Sequence, residues 1–109
     1  MNKHVFGNFD HIPEKEIAPG FLSKLIHTNS NTINFITVKA GSSIPLHRHM
    51  HEQYSFVLEG AFEMTIEGDT QVLTPGWYCL IPGHAEHGGS ALTDCRLVDV
   101  FNPVREDYK

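Results

Sequence analysis

From Phe21 onward, short apolar runs alternate with clusters of Gly, Pro, Asn and Asp, and apolar residues do not recur at the spacing of an amphipathic helix. The pattern predicts strands over 21–28, 32–39, 44–49, 53–59, 61–67, 71–74, 77–81, 87–92 and 95–101. The exception is 13–17, which reads as a single helical turn. Asn29-Ser30-Asn31, Ala40-Gly41, Gly68-Asp69, Pro75-Gly76, Pro82-Gly83 and Thr93-Asp94 supply the backbone conformations that tight turns require. Phe62, Met64 and Ile66 alternate with Glu63, Thr65 and Glu67, so one face of that strand belongs to a core and the other to water. Short strands at this spacing imply an all-β sandwich or barrel. Without a linker, repeat or low-complexity segment, residues 1–109 are expected to form one domain.

Composition narrows the class. With 40% hydrophobic, 19% charged and 10% aromatic residues, the chain reads as globular, with one small core that dimerisation would reinforce. Eight Lys and Arg against thirteen Asp and Glu give a net charge of −5, and no basic run tracks a phosphate backbone, which argues against nucleic acid as a partner. No segment approaches the roughly 20 apolar residues of a membrane helix. The first sixteen residues lack the apolar stretch of a signal peptide, and the expected location is the cytoplasm. Cys79 and Cys95 lie inside apolar runs, as buried thiols in a reducing compartment do. Histidine stands out: eight residues, five of them in two short windows.

His47 and His49 stand at i and i+2 in an extended segment begun by Pro45, so their imidazoles project from one face. Gln53 can bring an amide oxygen back after a short turn, and His87 opens a later strand able to close onto the pair. Three neutral imidazoles and an oxygen suit a divalent first-row ion such as Zn, Ni, Fe, Mn or Co, with positions left for water or substrate. His4, His11 and His27 read as surface or hydrogen-bonded residues. Asp99 lies within Leu97-Val98-Asp99-Val100-Phe101, apolar on both faces, where a carboxylate calls for a cation, a metal or a catalytic role; the alternative is an edge-strand Asp facing solvent. Arg105, beside Glu106 and Asp107, is either a pocket residue or half of a surface ion pair.

The stretch Gly41-Ser-Ser-Ile-Pro-Leu-His47-Arg-His49-Met-His51-Glu52-Gln53, closed by Gly60, resembles the first motif of the cupin superfamily, and Gly76-Trp-Tyr-Cys-Leu-Ile-Pro82-Gly-His-Ala-Glu-His87 resembles the second. The resemblance implies a small cupin β-barrel, a jelly-roll-like double sheet, with a metal held inside by His47, His49, residue 53 and His87. The chain departs from the pattern in carrying Gln53 where Glu is usual, His84 where Gly is usual and Ala91 where Asn is usual. A neutral amide leaves a divalent ion its full charge, which strengthens it as a Lewis acid and argues against oxygen chemistry. His51 and Glu52 remain open as substitute ligands, with Glu52 read first as an exposed loop carboxylate and His51 and His84 as rim residues.

The ending Asp99-x-Phe101-x-Pro103-x-Arg105-x-Asp107, with His47-x-His49-x-His51-Glu52-Gln53, resembles the KdgF-type cupins of pectin and alginate breakdown, which open the ring of unsaturated monouronates. That resemblance implies a metal-dependent enzyme acting on a small hydroxy or keto acid sugar. Asp99 would be the general acid/base, Arg105 the bidentate partner of a uronate carboxylate, and Phe101 a pocket wall. The rival readings are an iron-dependent cupin dioxygenase and a non-catalytic barrel that holds a metal or small ligand. The expected partners are a small-molecule substrate and, by family habit, a second copy of the chain in a homodimer.

Overall fold

A computed structural model describes residues 4–109. Ten strands run in order as β1 Lys15–Ala18, β2 Phe21–His27, β3 Thr32–Val38, β4 Ser43–His47, β5 Glu52–Glu59, β6 Phe62–Ile66, β7 Asp69–Leu73, β8 Tyr78–Ile81, β9 His87–Ala91 and β10 Cys95–Asn102. Single 3-10 turns occupy Phe9–His11 and Glu106–Tyr108. The strands form two antiparallel sheets, β1-β2-β3-β10-β5-β8 and β4-β9-β6-β7. The all-β, jelly-roll-like expectation holds, with the two sheets stacked rather than closed into one continuous hydrogen-bonded barrel. Among the described residues, no helix is long and apolar enough to cross a membrane.

The strands expected from 21 onward appear as β2 to β10, but the helical turn expected at 13–17 does not form. That stretch is β1, whose Lys15 and Glu16 pair with Ser23 and Leu22 of β2. Ladder hydrogen bonds to an open sheet edge, and half-burial of Ile17 and Ala18 against the core, outweigh the local helical tendency. The strand containing His47 ends there, so His49 lies just beyond it. The β6–β7 hairpin turns at Glu67 and Gly68, with φ 46° and 80°, one position before the expected Gly68-Asp69. Those angles suit a two-residue hairpin in which both central residues are left-handed.

The inward positions of the larger sheet change character along its strands. Leu97 stands between Ile36 and Val57, all buried and apolar. Two residues further along β10, Asp99 stands between Asn34 and Ser55; two further again, Phe101 stands between Thr32 and Gln53, and all six are buried. Phe62, Met64, Leu73 and Ala91 close the apolar half from the smaller sheet. The polar half remains for a site.

Gly60 joins β5 to β6 at φ +84°, where an added Cβ would collide with the Asp94 carbonyl oxygen and lie 2.8 Å from Thr93 Oγ1. Gly68 has a similar φ, +80°, but open space around it. Gly60→Ala is therefore expected to destabilise by about 3 kcal/mol and Gly68→Ala by about 1 kcal/mol, read from urea midpoints at equal slope. Equal losses would mean that the loop before β10 yields to the methyl group.

Candidate functional site

The smaller sheet and the loop leaving it supply the histidines. His47, last in β4, pairs across the ladder with His87, first in β9, and their ring centroids are 4.3 Å apart. His49 follows β4, its carbonyl held by the His84 N–H at 2.8 Å, and its ring lies 4.7 Å from that of His87 and 5.5 Å from that of His47. One ligand atom from each ring falls within 4.8 Å of the others. Every Nδ1 sits on a backbone carbonyl two residues away: His47 on Pro45 at 2.9 Å, His49 on His51 at 3.0 Å, His87 on Ala85 at 2.8 Å. A carbonyl only accepts, so Nδ1 is the donor in each ring, and Nε2 is the nitrogen left to face the cluster.

The larger sheet supplies the oxygen. Gln53 Nε2 donates to Ser55 Oγ at 3.0 Å and to Asp99 Oδ2 at 3.2 Å, which turns Oε1 toward His49 Nε2 at 3.1 Å. Burial, with the Arg105 and His87 charges beside it, lowers the pKa of His49 to about 4, so at neutral pH no proton lies between these two acceptors. His87 is lowered as well, chiefly by burial. Three imidazole nitrogens and an amide oxygen thus converge, a set that a divalent cation would satisfy. Glu52 is exposed at the start of β5 and stands outside this cluster. His51 also stands outside it, its ring 5.5 Å from that of His49 and 6.4 Å from that of Phe101.

Asp99 faces inward on β10 and is 7% exposed, which removes the solvent-facing alternative. Burial raises its pKa to about 7, against the opposing influence of Ser55 and Arg105, and its Oδ1 has no hydrogen-bond partner among the described residues. The Phe101 ring stands 5.8 Å from that of His49. Arg105 combines the two roles left open for it. It lines the same cavity, yet its Nε and Nη2 donate to Asp107 Oδ1 and Oδ2 at 2.9 and 2.7 Å, so the fork expected to hold a substrate carboxylate already holds Asp107. The pairing lowers Asp107 to about 2. The guanidinium is also stacked 4.0 Å over Tyr108 and 4.8 Å over Phe101.

A cavity between the sheets, partly open to solvent, brings together His47, His49, Gln53, His87, Asp99 and Arg105. Ser55 and Tyr108 belong to it too, and sequence reasoning missed both. Ser55 could have been found, since it shares the inward face of β5 with Gln53 two residues away. Tyr108 enters only through the tertiary path of the last residues. Cys79 and Cys95 are free thiols, and burial pushes Cys79 up to about 11, so it is unreactive at neutral pH.

A sequence model of the cupin domain matches residues 34–101. The pectin degradation protein KdgF of Dickeya dadantii (strain 3937) is 30% identical over 103 residues, covering 91% of this chain and 93% of that protein. The L-ectoine synthase of Nocardia farcinica is 33% identical over 97 residues, 83% of this chain and 74% of that one. Among solved structures, KdgF from Halomonas sp. superposes with a TM-score of 0.89 at 32% identity, covering 99% of this chain and 100% of that chain.

Proposed function

This chain belongs to the cupin family, and from that premise we propose that it is a metal-dependent isomerase opening the ring of a small unsaturated uronate. The observation that carries the proposal is the Gln53 amide, which joins the histidine cluster through Oε1 and the buried Asp99 carboxyl through Nε2 within one cavity. A relative named for pectin degradation, aligned over nearly the whole chain, supports the substrate class.

His47, His49 and His87 through Nε2, and Gln53 through Oε1, would hold a divalent ion such as Zn, Ni, Fe, Mn or Co, which when bound supplies Lewis acidity toward a substrate oxygen. Asp99 moves the proton: its carboxyl takes that of the hemiacetal hydroxyl and returns it to the alkene carbon. The ring C–O bond breaks, the anomeric carbon becomes an aldehyde, and the carbon bearing the former ring oxygen becomes a ketone. Atoms and electrons balance without a co-reactant. A pKa of about 7 lets one carboxyl accept and donate at neutral pH. Arg105 offers the substrate carboxylate the part of its guanidinium not engaged by Asp107, and Phe101 walls the pocket. The neutral Gln53 favours this chemistry over that of an iron-dependent dioxygenase, because no carboxylate in the set stabilises a higher oxidation state.

The test is the loss of ring-alkene ultraviolet absorbance from an unsaturated galacturonate. Protein loaded with metal is expected to accelerate it over the spontaneous reaction, and His47→Ala to abolish the acceleration. No acceleration by fully loaded protein would reject the uronate reading. Oxygen uptake would then select the dioxygenase, and stoichiometric ligand binding without turnover a holding barrel.

A further inference from the structure

Four of the buried side-chain atoms that find no hydrogen-bond partner among the described residues belong to three neighbours on the inward face of the larger sheet: Ser23 Oγ, Asn34 Oδ1 and Nδ2, and Asp99 Oδ1. Asn34 stands directly opposite Asp99 in the β3–β10 ladder, and Ser23, opposite Ile36, is its diagonal neighbour on β2. Ser23 and Asn34 are wholly buried. The polar groups around them are engaged: Thr32 Oγ1 accepts from the Arg105 N–H at 2.8 Å and meets His27 Nδ1 at 2.9 Å, and Ser55 Oγ accepts from Gln53. The fold itself asks for no amide here, since the next inward row on the same strands is Ile36, Leu97 and Val57. A buried amide whose donor and acceptor both stay unpaired weakens folding by about tenfold or more for each. A polar guest belongs between these side chains.

We propose that Asn34 is a positioning residue for Asp99, holding, together with Ser23, one buried water against Asp99 Oδ1. The hosts determine the guest. A buried water takes about two to four polar partners, and an amide, a hydroxyl and a carboxyl oxygen offer it four atoms. An anion would face the Asp99 oxygen and a cation the Asn34 N–H donors, whereas water donates to the one and accepts from the other. The cavity that Asp99 lines is partly open to solvent, so water can reach this position. The consequence is a carboxyl held at both oxygens. Gln53 Nε2 donates to Oδ2 at 3.2 Å from β5, and the water held by Asn34 donates to Oδ1 from β3, the two strands that flank β10. The plane of the carboxyl is then set from both sides, and a displacement of about 1 Å in such a group costs about a hundredfold in rate.

This role rests on the uronate reading for its catalytic half, and the two halves are tested separately. Asn34→Leu removes both polar atoms at nearly constant volume. In metal-loaded protein its kcat on an unsaturated galacturonate is expected to fall about 30-fold, with KM within about twofold and metal content unchanged. A loss of stability alone would leave kcat per folded, loaded chain as it was. The other half needs no substrate. Urea unfolding of the full chain at saturating metal should show Asn34→Leu shifting the unfolding equilibrium about 30-fold in the wild type. In an Asp99→Leu background, where no carboxyl remains to be held, the shift should be below about threefold. A crystal structure of the wild type should place one water within about 3 Å of Asp99 Oδ1, Asn34 and Ser23 Oγ. A wild type without turnover would remove the uronate reading and leave the unfolding cycle and the water to decide the role of Asn34. Equal shifts in the two backgrounds, no water at Asp99 Oδ1, or an unchanged kcat in an active enzyme overturns the proposal. Should Asn34→Leu not fold, Ser23→Ala, which takes one partner from the water and little volume, is read in its place, with an expected loss of about fivefold in kcat.

Discussion

His49→Ala is expected to reduce bound metal from one ion per chain to below about one in ten after dialysis, and turnover to the buffer background. Three Nε2 atoms and one Oε1 share the ion in the proposed site. Where a four-donor structural site binds with about 10–16 kcal/mol, losing one donor costs about 3 kcal/mol, more than a hundredfold in affinity. Stability should follow occupancy. Metal at a hundred times its dissociation constant adds about 2.7 kcal/mol to the wild type, and chelation removes it, whereas the variant's melting temperature should respond to neither. Elemental analysis and thermal melts with and without chelator read both effects. His27→Ala, whose ring instead pairs with Thr32 Oγ1 at 2.9 Å, serves as the control. Full occupancy in His49→Ala would remove His49 from the ligand set.

Asp99→Asn keeps the shape of the side chain and removes its ability to carry a proton, so kcat should fall about a thousandfold while metal content stays unchanged. The carboxylate meets the donor set only through Gln53, and an Asn oxygen can still accept from Gln53 Nε2. Loss of metal together with activity would make Asp99 a positioning residue for Gln53 instead. The same variant has a second readout in metal-free protein. Folding raises the Asp99 pKa from 3.8 to about 7, so the folded state holds this proton more tightly. Its contribution to stability is full below pH 3.8 and is lost as pH rises through about 7. His49 and His87 run oppositely: their pKa values fall from 6.5 on folding, so their contribution is lost as pH falls below 6.5. The two trends offset one another in the wild type, and the difference between wild type and Asp99→Asn isolates the carboxyl. Urea denaturation at pH 5 and pH 8 should show the wild type losing stability relative to Asp99→Asn. A pH-independent difference would mean that Asp99 stays ionised when buried.

Sequence pattern carried the fold because strand burial has period two and turns need particular residues. Phe62, Met64 and Ile66 read correctly as the inward half of β6, since nothing competes with that alternation. Residues 15–18 misled because four residues are too few to display a period, and a distant partner, β2, decides their conformation. At the site, the spacing of His47 and His49 was legible, as was the apolar setting of Asp99. The fate of Arg105 was not. Asp107 is two residues away in sequence, but whether an Arg–Asp pair faces water or a cavity depends on Thr32, whose Oγ1 accepts from the Arg105 N–H at 2.8 Å, and on the Tyr108 ring beneath the guanidinium.

Each histidine of the cluster is oriented by a carbonyl two residues from itself: Pro45 for His47, His51 for His49, Ala85 for His87. The means of aiming each imidazole is therefore carried in three short peptides, and only Gln53 relies on a distant side chain, that of Asp99. Such a layout separates what grips an ion from what surrounds it. Cavity-wall residues such as Met64 or Tyr108 supply none of these carbonyls. A lineage, or a designer, can thus change the molecule presented to the ion while inheriting the grip intact.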